Sequence, residues 1–208
     1  MMDVSIKKML KTDQNTTKLA IVFPGIGYHV DKPLLFHARK LLREQNYEII
    51  DANYSGFPSG IKGNPQKMRD AFDMALIQAE DFLKGIDIGS YNDVIFVSKS
   101  IGTAVAAAYA KKHKIKAKHI YFTPIAETFE FVEPESGIAF HGTADPWVDT
   151  EIVTGKCADF NIPLHITAGA NHSLEIGDVL KDIQELYQII DTIRQYIFGE
   201  EAKKWLKN

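Results

Sequence analysis

The sequence has 208 residues, of which 45% are hydrophobic and 25% are charged, and its formal net charge is -3. These values are ordinary for a globular protein and predict one domain, residues 1–208, with a sizeable buried core. Apart from residues 111–118 the basic side chains are scattered, whereas a nucleic-acid-binding domain gathers positive charge on one face, so we predict no nucleic-acid partner.

The cysteine content and the N-terminal residues bear on where the protein works. Cys157 is the single cysteine, so no intrachain disulfide forms. The first 14 residues lack the apolar run, about 7–15 residues long, of a signal peptide. No apolar run approaches the roughly 20 residues that cross a bilayer. We therefore expect a cytoplasmic protein with no membrane partner, while nothing in the sequence indicates an oligomeric state.

Short apolar runs alternate with amphipathic segments along the chain. The first strand is predicted at residues 19–23, and a helix with an apolar stripe follows at residues 31–45. Further strands are predicted at 47–51, 94–97, 119–122, 138–140 and 163–166, and further helices at 66–84, 103–112 and 174–198. This alternation predicts an α/β fold with a doubly wound, mostly parallel sheet and helices on both faces. Residues 4–10 are a further candidate for an antiparallel edge strand.

A serine stands where the strand at residues 94–97 runs into an alanine-rich helix through Ser98-Lys99-Ser100-Ile101-Gly102. A turn this tight strains its central residue and requires small residues two positions before and after it. Ser100 is therefore a candidate nucleophile, its hydroxyl lying beside the first helical amides. Two alternatives stay open: Ser100 caps the helix, or Ser98, one step too early in the strand, is the nucleophile.

An aspartate ends the glycine-containing loop that follows the strand at residues 138–140. The carboxylate of Asp145 could accept the Nδ1 hydrogen of a histidine and stabilise the imidazolium formed during catalysis. In a second interpretation, Asp145 caps a helix with Pro146 at its first position. Asp149 is the alternative acid.

A histidine lies in the small-residue loop after the last predicted strand. His172 could take a proton from a serine hydroxyl and return it to a leaving group, although a loop histidine is commonly a plain surface residue. The three candidates follow in the order Ser100, Asp145, His172, each just after a strand. They therefore share the carboxyl edge of the predicted sheet, where doubly wound folds hold their sites.

Sequence patterns for bound cofactors are missing. No C-x-x-C pair or H-E-x-x-H motif occurs, so we predict no metal. The stretch Gly25-Ile26-Gly27 does not continue as G-x-G-x-x-G, so no dinucleotide site and no other cofactor is predicted.

Four motifs of this chain resemble those of the α/β-hydrolase superfamily in its compact form without a lid domain. They are Phe23-Pro24-Gly25-Ile26-Gly27, Ser98-Lys99-Ser100-Ile101-Gly102, His141-Gly142-Thr143-Ala144-Asp145 and Gly169-Ala170-Asn171-His172. The resemblance covers roughly residues 19–198. It implies a catalytic triad of Ser100, Asp145 and His172, and an oxyanion hole built from the amides of Ile26 and Ile101. The chain departs from the family pattern at Ser98, where glycine is usual, and at Pro24, where histidine is frequent.

The resemblance implies a serine hydrolase that cleaves a carboxylic ester or thioester of a small molecule through an acyl-enzyme on Ser100. Acyl transfer or peptidase action by the same residues is an alternative, and so is a catalytically silent binding protein. Tyr28, His29 and Trp147 are candidate pocket residues, and Lys99 is expected to be solvated. The short segment at residues 123–137 predicts an open pocket.

Overall fold

The computed structural model describes residues 17–199, whose six strands form one parallel sheet. Its strands are β1 (Lys18–Phe23), β2 (Glu48–Asp51), β3 (Asp93–Lys99), β4 (Lys118–Phe122), β5 (Gly137–Gly142) and β6 (Leu164–Thr167). Every neighbouring pair is parallel, in the order β2-β1-β3-β4-β5-β6. The predicted fold class is thereby confirmed, whereas the candidate edge strand at residues 4–10 lies outside the described residues.

Helices cover both faces of this sheet. They are α1 (Pro33–Glu44), α2 (Pro65–Leu83), α3 (Ile101–His113), α4 (Thr150–Asp159) and α5 (Val179–Phe198). The apolar residues of α1 and α5 pack on one face, and those of α2, α3 and α4 pack on the other. Within residues 17–199, every helix is too short or too polar to span a bilayer.

The central strands β1 and β3 are apolar on both sides because both faces are covered. In β1, Ala20 and Val22 contact the α1–α5 layer, and Leu19, Ile21 and Phe23 contact the opposite layer. The strand order turns around between β1 and β3. The carboxyl ends of these two strands therefore border a crevice of the kind in which doubly wound sheets bind ligands.

Two helices differ from the sequence prediction. The helix predicted from residue 174 begins at Val179, because Leu174 is buried in a left-handed conformation with φ 60°. Asp178 then caps α5 by accepting hydrogen bonds from the Leu180 and Lys181 amides. Helix α4 was not among the predicted helices, and it begins at Thr150 rather than at Pro146, where the alternative interpretation of Asp145 placed a helix start.

Gly102 makes a close backbone contact between α3 and the end of β1. A Cβ at this position would lie 2.2 Å from the Phe23 carbonyl oxygen and 2.5 Å from the Pro24 carbonyl oxygen. Since both atoms are backbone, alanine would push α3 away from the sheet. We expect Gly102→Ala to lower the free energy of unfolding, measured in urea, by about 3 kcal/mol.

Gly155 provides the matched control for this substitution. It lies inside α4, and a Cβ there would have nothing within 4 Å. Alanine is a better helix former than glycine, so Gly155→Ala should raise the free energy of unfolding by up to ~1 kcal/mol. Equal stability of the two variants would contradict the packing described for Gly102.

Candidate active site

Ser100 occupies a strained turn between β3 and α3. Its backbone has φ 56° and ψ -126°, a region that residues other than glycine seldom adopt and that often marks functional sites. The turn is held by the Ser100 amide, which donates to the Phe122 carbonyl at 3.0 Å, and by the Ser100 carbonyl, which accepts from the Thr103 amide at 2.9 Å. The Ser100 side chain makes no capping hydrogen bond, so its hydroxyl does not serve the helix.

The hydroxyl of Ser100 is the first group of a hydrogen-bond chain. Ser100 Oγ lies 2.8 Å from His172 Nε2, and His172 Nδ1 lies 2.7 Å from Asp145 Oδ2. The other carboxylate oxygen of Asp145 accepts from the Trp147 amide at 2.9 Å. An ionised carboxylate only accepts, so Nδ1 carries the imidazole proton and Nε2 is free to accept from the serine hydroxyl.

Burial and pairing set the charges of this chain. Burial raises the pKa of Asp145, but the hydrogen bond and charge of His172, together with the Trp147 amide, outweigh it and leave that pKa below its ordinary value. Burial lowers the pKa of His172 below its ordinary value, although the hydrogen bond to Asp145 opposes the shift. At neutral pH the pair is therefore an ionised carboxylate and a neutral imidazole able to accept a proton.

The loop that carries His172 is anchored by polar side chains. Thr123 Oγ1 donates to the His172 carbonyl at 3.2 Å, and Asn171 Oδ1 accepts from the Ser173 amide at 2.7 Å. Thr123 has a φ of 42° at the end of β4. This anchoring role was not predicted from the sequence. The sequence feature that could have indicated it is a small polar residue directly after a buried strand.

The alternative residues are held elsewhere. Ser98 is fully buried, and its Oγ donates to the Ile120 carbonyl at 3.0 Å. Asp149 is exposed at the N-cap of α4, which begins at Thr150. Asp145 therefore does not cap this helix.

Two backbone segments border Ser100 where an oxyanion would form. In the turn after β1, the Gly25 amide donates to the Tyr28 carbonyl at 3.1 Å and the Tyr28 amide returns to the Gly25 carbonyl at 3.4 Å, with Ile26 at the tip. A Cβ on Gly25 would lie 3.2 Å from Ser100 Cβ, so this turn touches the serine. Ile101 is the first residue of α3, where an amide has no acceptor within its own helix.

Comparison with known proteins relates this arrangement to a fold. No family model and no curated protein matches the chain. An α/β serine hydrolase homologue from Coxiella burnetii superposes with a TM-score of 0.60 at 17% identity over 85% of each chain. A serine hydrolase without a lid from Xanthomonas campestris gives 0.58 at 16% identity, covering 87% of this chain and 83% of the other. An esterase from Pyrococcus furiosus gives 0.59 at 12% identity, covering 87% and 84%.

The chain has the α/β-hydrolase fold. In this instance of the fold, the segment between β4 and β5 contains only a short 3₁₀ helix at Ala126–Glu130. Residues 17–199 therefore contain no lid domain between β4 and β5, and the structure from Xanthomonas campestris is likewise described as lacking a lid.

Two cavities of this α/β-hydrolase fold adjoin residues next to His172. The Trp147 ring lies 5.5 Å from the His172 ring and lines a cavity of about 330 Å³. Ile61, Lys62, Met68 and Ile125 line the same cavity. A second cavity, of about 210 Å³, lies between α1 and α5 and is lined by Ser173, Leu174, Pro33, Leu34 and Ile183 among others. Trp147 is thus the predicted pocket residue that lies at a cavity.

The other two predicted pocket residues, Tyr28 and His29, do not line either of these cavities. Tyr28 is buried in the core, and its hydroxyl accepts from the Leu34 amide at 3.1 Å. His29 is exposed before α1, where its Nδ1 accepts from the Asp31 amide at 3.3 Å. After the turn that follows β1, the Tyr28 side chain packs in the core beside α1.

Proposed function

We propose that this chain is a serine hydrolase that cleaves a carboxylic ester or thioester of a small molecule through an acyl-enzyme on Ser100. The observation that carries the proposal is the hydrogen-bond chain from Ser100 through His172 to Asp145, with contacts of 2.8 and 2.7 Å. The similar solved structures described as serine hydrolases and as an esterase support it.

In the proposed acylation step, Ser100 Oγ attacks the carbonyl carbon of the substrate. Its proton moves to Nε2 of His172, and the carboxylate of Asp145 stabilises the resulting imidazolium. The carbon–oxygen or carbon–sulfur bond of the leaving group then breaks. The departing alkoxide or thiolate takes the proton from the imidazolium. The acyl group remains bound to Ser100 as an ester.

The negative charge that develops on the carbonyl oxygen requires preorganised donors. We assign this role to the amides of Ile26 and Ile101, because the turn after β1 and the first turn of α3 both border Ser100. The positive end of the α3 dipole favours the same charge. Donors fixed in the backbone need no reorganisation as the charge forms.

In the proposed deacylation step, water repeats the attack on the acyl-enzyme. His172 takes a proton from the water and returns it to Ser100 as the acyl group leaves as a carboxylic acid. Apart from this water, the groups proposed for the two steps are side chains and amides of this chain.

The cavity lined by Trp147, whose ring lies 5.5 Å from the His172 ring, is the proposed binding place for part of the substrate. A volume of about 330 Å³ lies at the lower end of the range for small-molecule pockets, which favours a small substrate. The proposed setting is the cytoplasm, with a small molecule as the partner and neither nucleic acid nor membrane, as charge and composition indicate.

Labelling with an alkyl fluorophosphonate tests the nucleophile. The probe phosphonylates a serine only when a neighbouring base removes its proton, so the wild-type chain should gain one phosphonyl group on Ser100. Ser100→Ala should abolish the labelling, as measured by intact mass and peptide mapping. Ser98→Ala should still be labelled, because the Ser98 hydroxyl is committed to the Ile120 carbonyl. An unlabelled wild-type chain, or labelling that persists in Ser100→Ala, would reject the proposal.

A further inference from the structure

Lys99, the residue before the candidate nucleophile, is completely buried. Its side chain is 0% exposed, and its Nζ has no hydrogen-bond partner among residues 17–199. The expectation of a solvated lysine is therefore wrong, because β3 continues through residue 99 and holds its side chain in the core. Burying an ammonium group without a partner is costly, so a lysine at this position calls for an explanation.

The ring of Tyr28 contacts the Lys99 ammonium group. Nζ lies 5.0 Å from the centre of the Tyr28 ring, a distance at which the ring face attracts a cation. The ring is fixed because its hydroxyl accepts from the Leu34 amide. Burial raises the pKa of Tyr28 to about 12, and the charge of Glu175 adds to this shift. Tyr28 is therefore uncharged at neutral pH.

Lys99 ends β3 and directly precedes Ser100, whose hydroxyl lies 2.8 Å from His172 Nε2, so the buried ammonium group belongs to the surroundings of the hydrogen-bond chain. Burial is the largest influence that lowers the pKa of His172; the Asp145 hydrogen bond opposes it, and the charges of Lys99 and His141 lower it further. Burial likewise lowers the pKa of Lys99 to about 7, against the attraction of Asp145. Lys99 is thus charged throughout the acidic range in which His172 would take up a proton.

We propose that Lys99 is a positioning residue of the catalytic site, whose buried ammonium group favours the neutral imidazole of His172 over the imidazolium. The inference rests on the proposed function. Like charges repel strongly where water is excluded. While Lys99 is charged, protonation of His172 by solvent is therefore disfavoured. The neutral imidazole is the form that accepts the Ser100 proton, and the site therefore keeps its base at weakly acidic pH.

The acylation step is less disfavoured by the Lys99 charge than protonation of His172 by solvent is. In the proposed acylation step, the imidazolium forms together with the oxyanion, so the two new charges have opposite sign. A proton taken up from solvent has no such partner. Lys99 therefore disfavours protonation of the free site more than it disfavours the step that transfers the serine proton.

The rate of fluorophosphonate labelling as a function of pH tests this inference. In Lys99→Met, which removes the charge at similar length, we expect the midpoint of the acid limb to move up by roughly one pH unit. Well below both midpoints, the labelling rate of the variant as a fraction of its plateau should then be roughly tenfold lower than that of the wild type. Lys111→Met is the matched control, since Lys111 is an exposed lysine of α3, and its acid limb should match the wild type.

Lys99→Gln and an NMR titration of the His172 ring complete the test. Both uncharged variants should titrate His172 at higher pH than the wild type does. An acid limb that is unchanged or lower in Lys99→Met, or an unchanged His172 titration in Lys99→Gln, overturns the role of Lys99. Labelling that persists in Ser100→Ala would instead reject the proposed function, so the two failures are distinct.

Discussion

Replacing His172 by alanine is expected to lower kcat for an activated ester such as p-nitrophenyl acetate by about ten-thousand-fold at neutral pH. In the proposed mechanism, His172 Nε2, 2.8 Å from Ser100 Oγ, accepts the serine proton. Without it the hydroxyl attacks as a neutral, weak nucleophile. The oxyanion donors remain, so a residual rate above that in water should persist.

Ser100→Ala and the double variant sharpen this expectation. In the proposed mechanism the two side chains act as one unit, so the double variant should be no slower than the slower single variant. Losses that multiply in the double variant would mean that the two residues act independently. A His172→Ala enzyme that retains a tenth of the wild-type kcat would also contradict the scheme.

Stability measurements separate chemistry from folding in this series. Asp145 is 9% exposed, and His172→Ala leaves its carboxylate with the Trp147 amide as its remaining hydrogen-bond partner. This should cost about 1–3 kcal/mol of unfolding free energy, whereas Ser100→Ala leaves the carboxylate paired. If Ser100→Ala and His172→Ala lose activity equally but differ in unfolding free energy, the loss of activity arises from the reaction and not from unfolding. His37→Ala, at an exposed position of α1, should change kcat by less than about twofold.

The sheet could be predicted from the sequence because its central strands are covered on both sides. Strands such as β3 read as continuous apolar runs, and the helices between them show apolar residues at helical spacing. Helix α4 gives little such signal, since only Val153 and Cys157 are buried and Gly155 interrupts it. Its formation depends on packing against the sheet, which sequence periodicity does not report.

The candidate triad residues could be named because each follows a strand of a parallel sheet, and all carboxyl ends of such a sheet share one edge. The burial of Lys99 could not be foreseen. The predicted strand ended at residue 97, whereas β3 continues through residues 98 and 99. This extension places the Lys99 side chain in the core instead of in water. The position of Tyr28 depends on the tight turn after β1, and the backbone geometry of that turn cannot be deduced from its residue types.

Lys99→Met is expected to stabilise the protein in acid and to lose this advantage as the pH rises. The pKa of Lys99 is lowered by burial to about 7, whereas the unfolded chain keeps the ordinary 10.5. Below pH 7 both states are protonated, and the wild type bears the full cost of a buried ammonium. Between about pH 7 and pH 10.5 the folded state has released its proton and the unfolded state has not, so wild-type stability rises with pH.

The size of this effect follows from the same difference in pKa. By linkage, a shift of this size corresponds to at most ~5 kcal/mol of unfolding free energy, falling by about 1.4 kcal/mol per pH unit. Urea unfolding of both proteins at several pH values measures it, and subtracting the two curves cancels groups common to both. Lys111→Met should show no such pH dependence. A difference that stays constant between about pH 6 and pH 10 would show that the Lys99 ammonium is not buried in solution. The stability difference between the two proteins is expected to shrink as the pH rises, and the acid limb of labelling is expected to shift. Both results together would mean that Lys99 destabilises the fold but keeps His172 able to accept a proton. Such a trade-off between stability and activity is often found at functional sites.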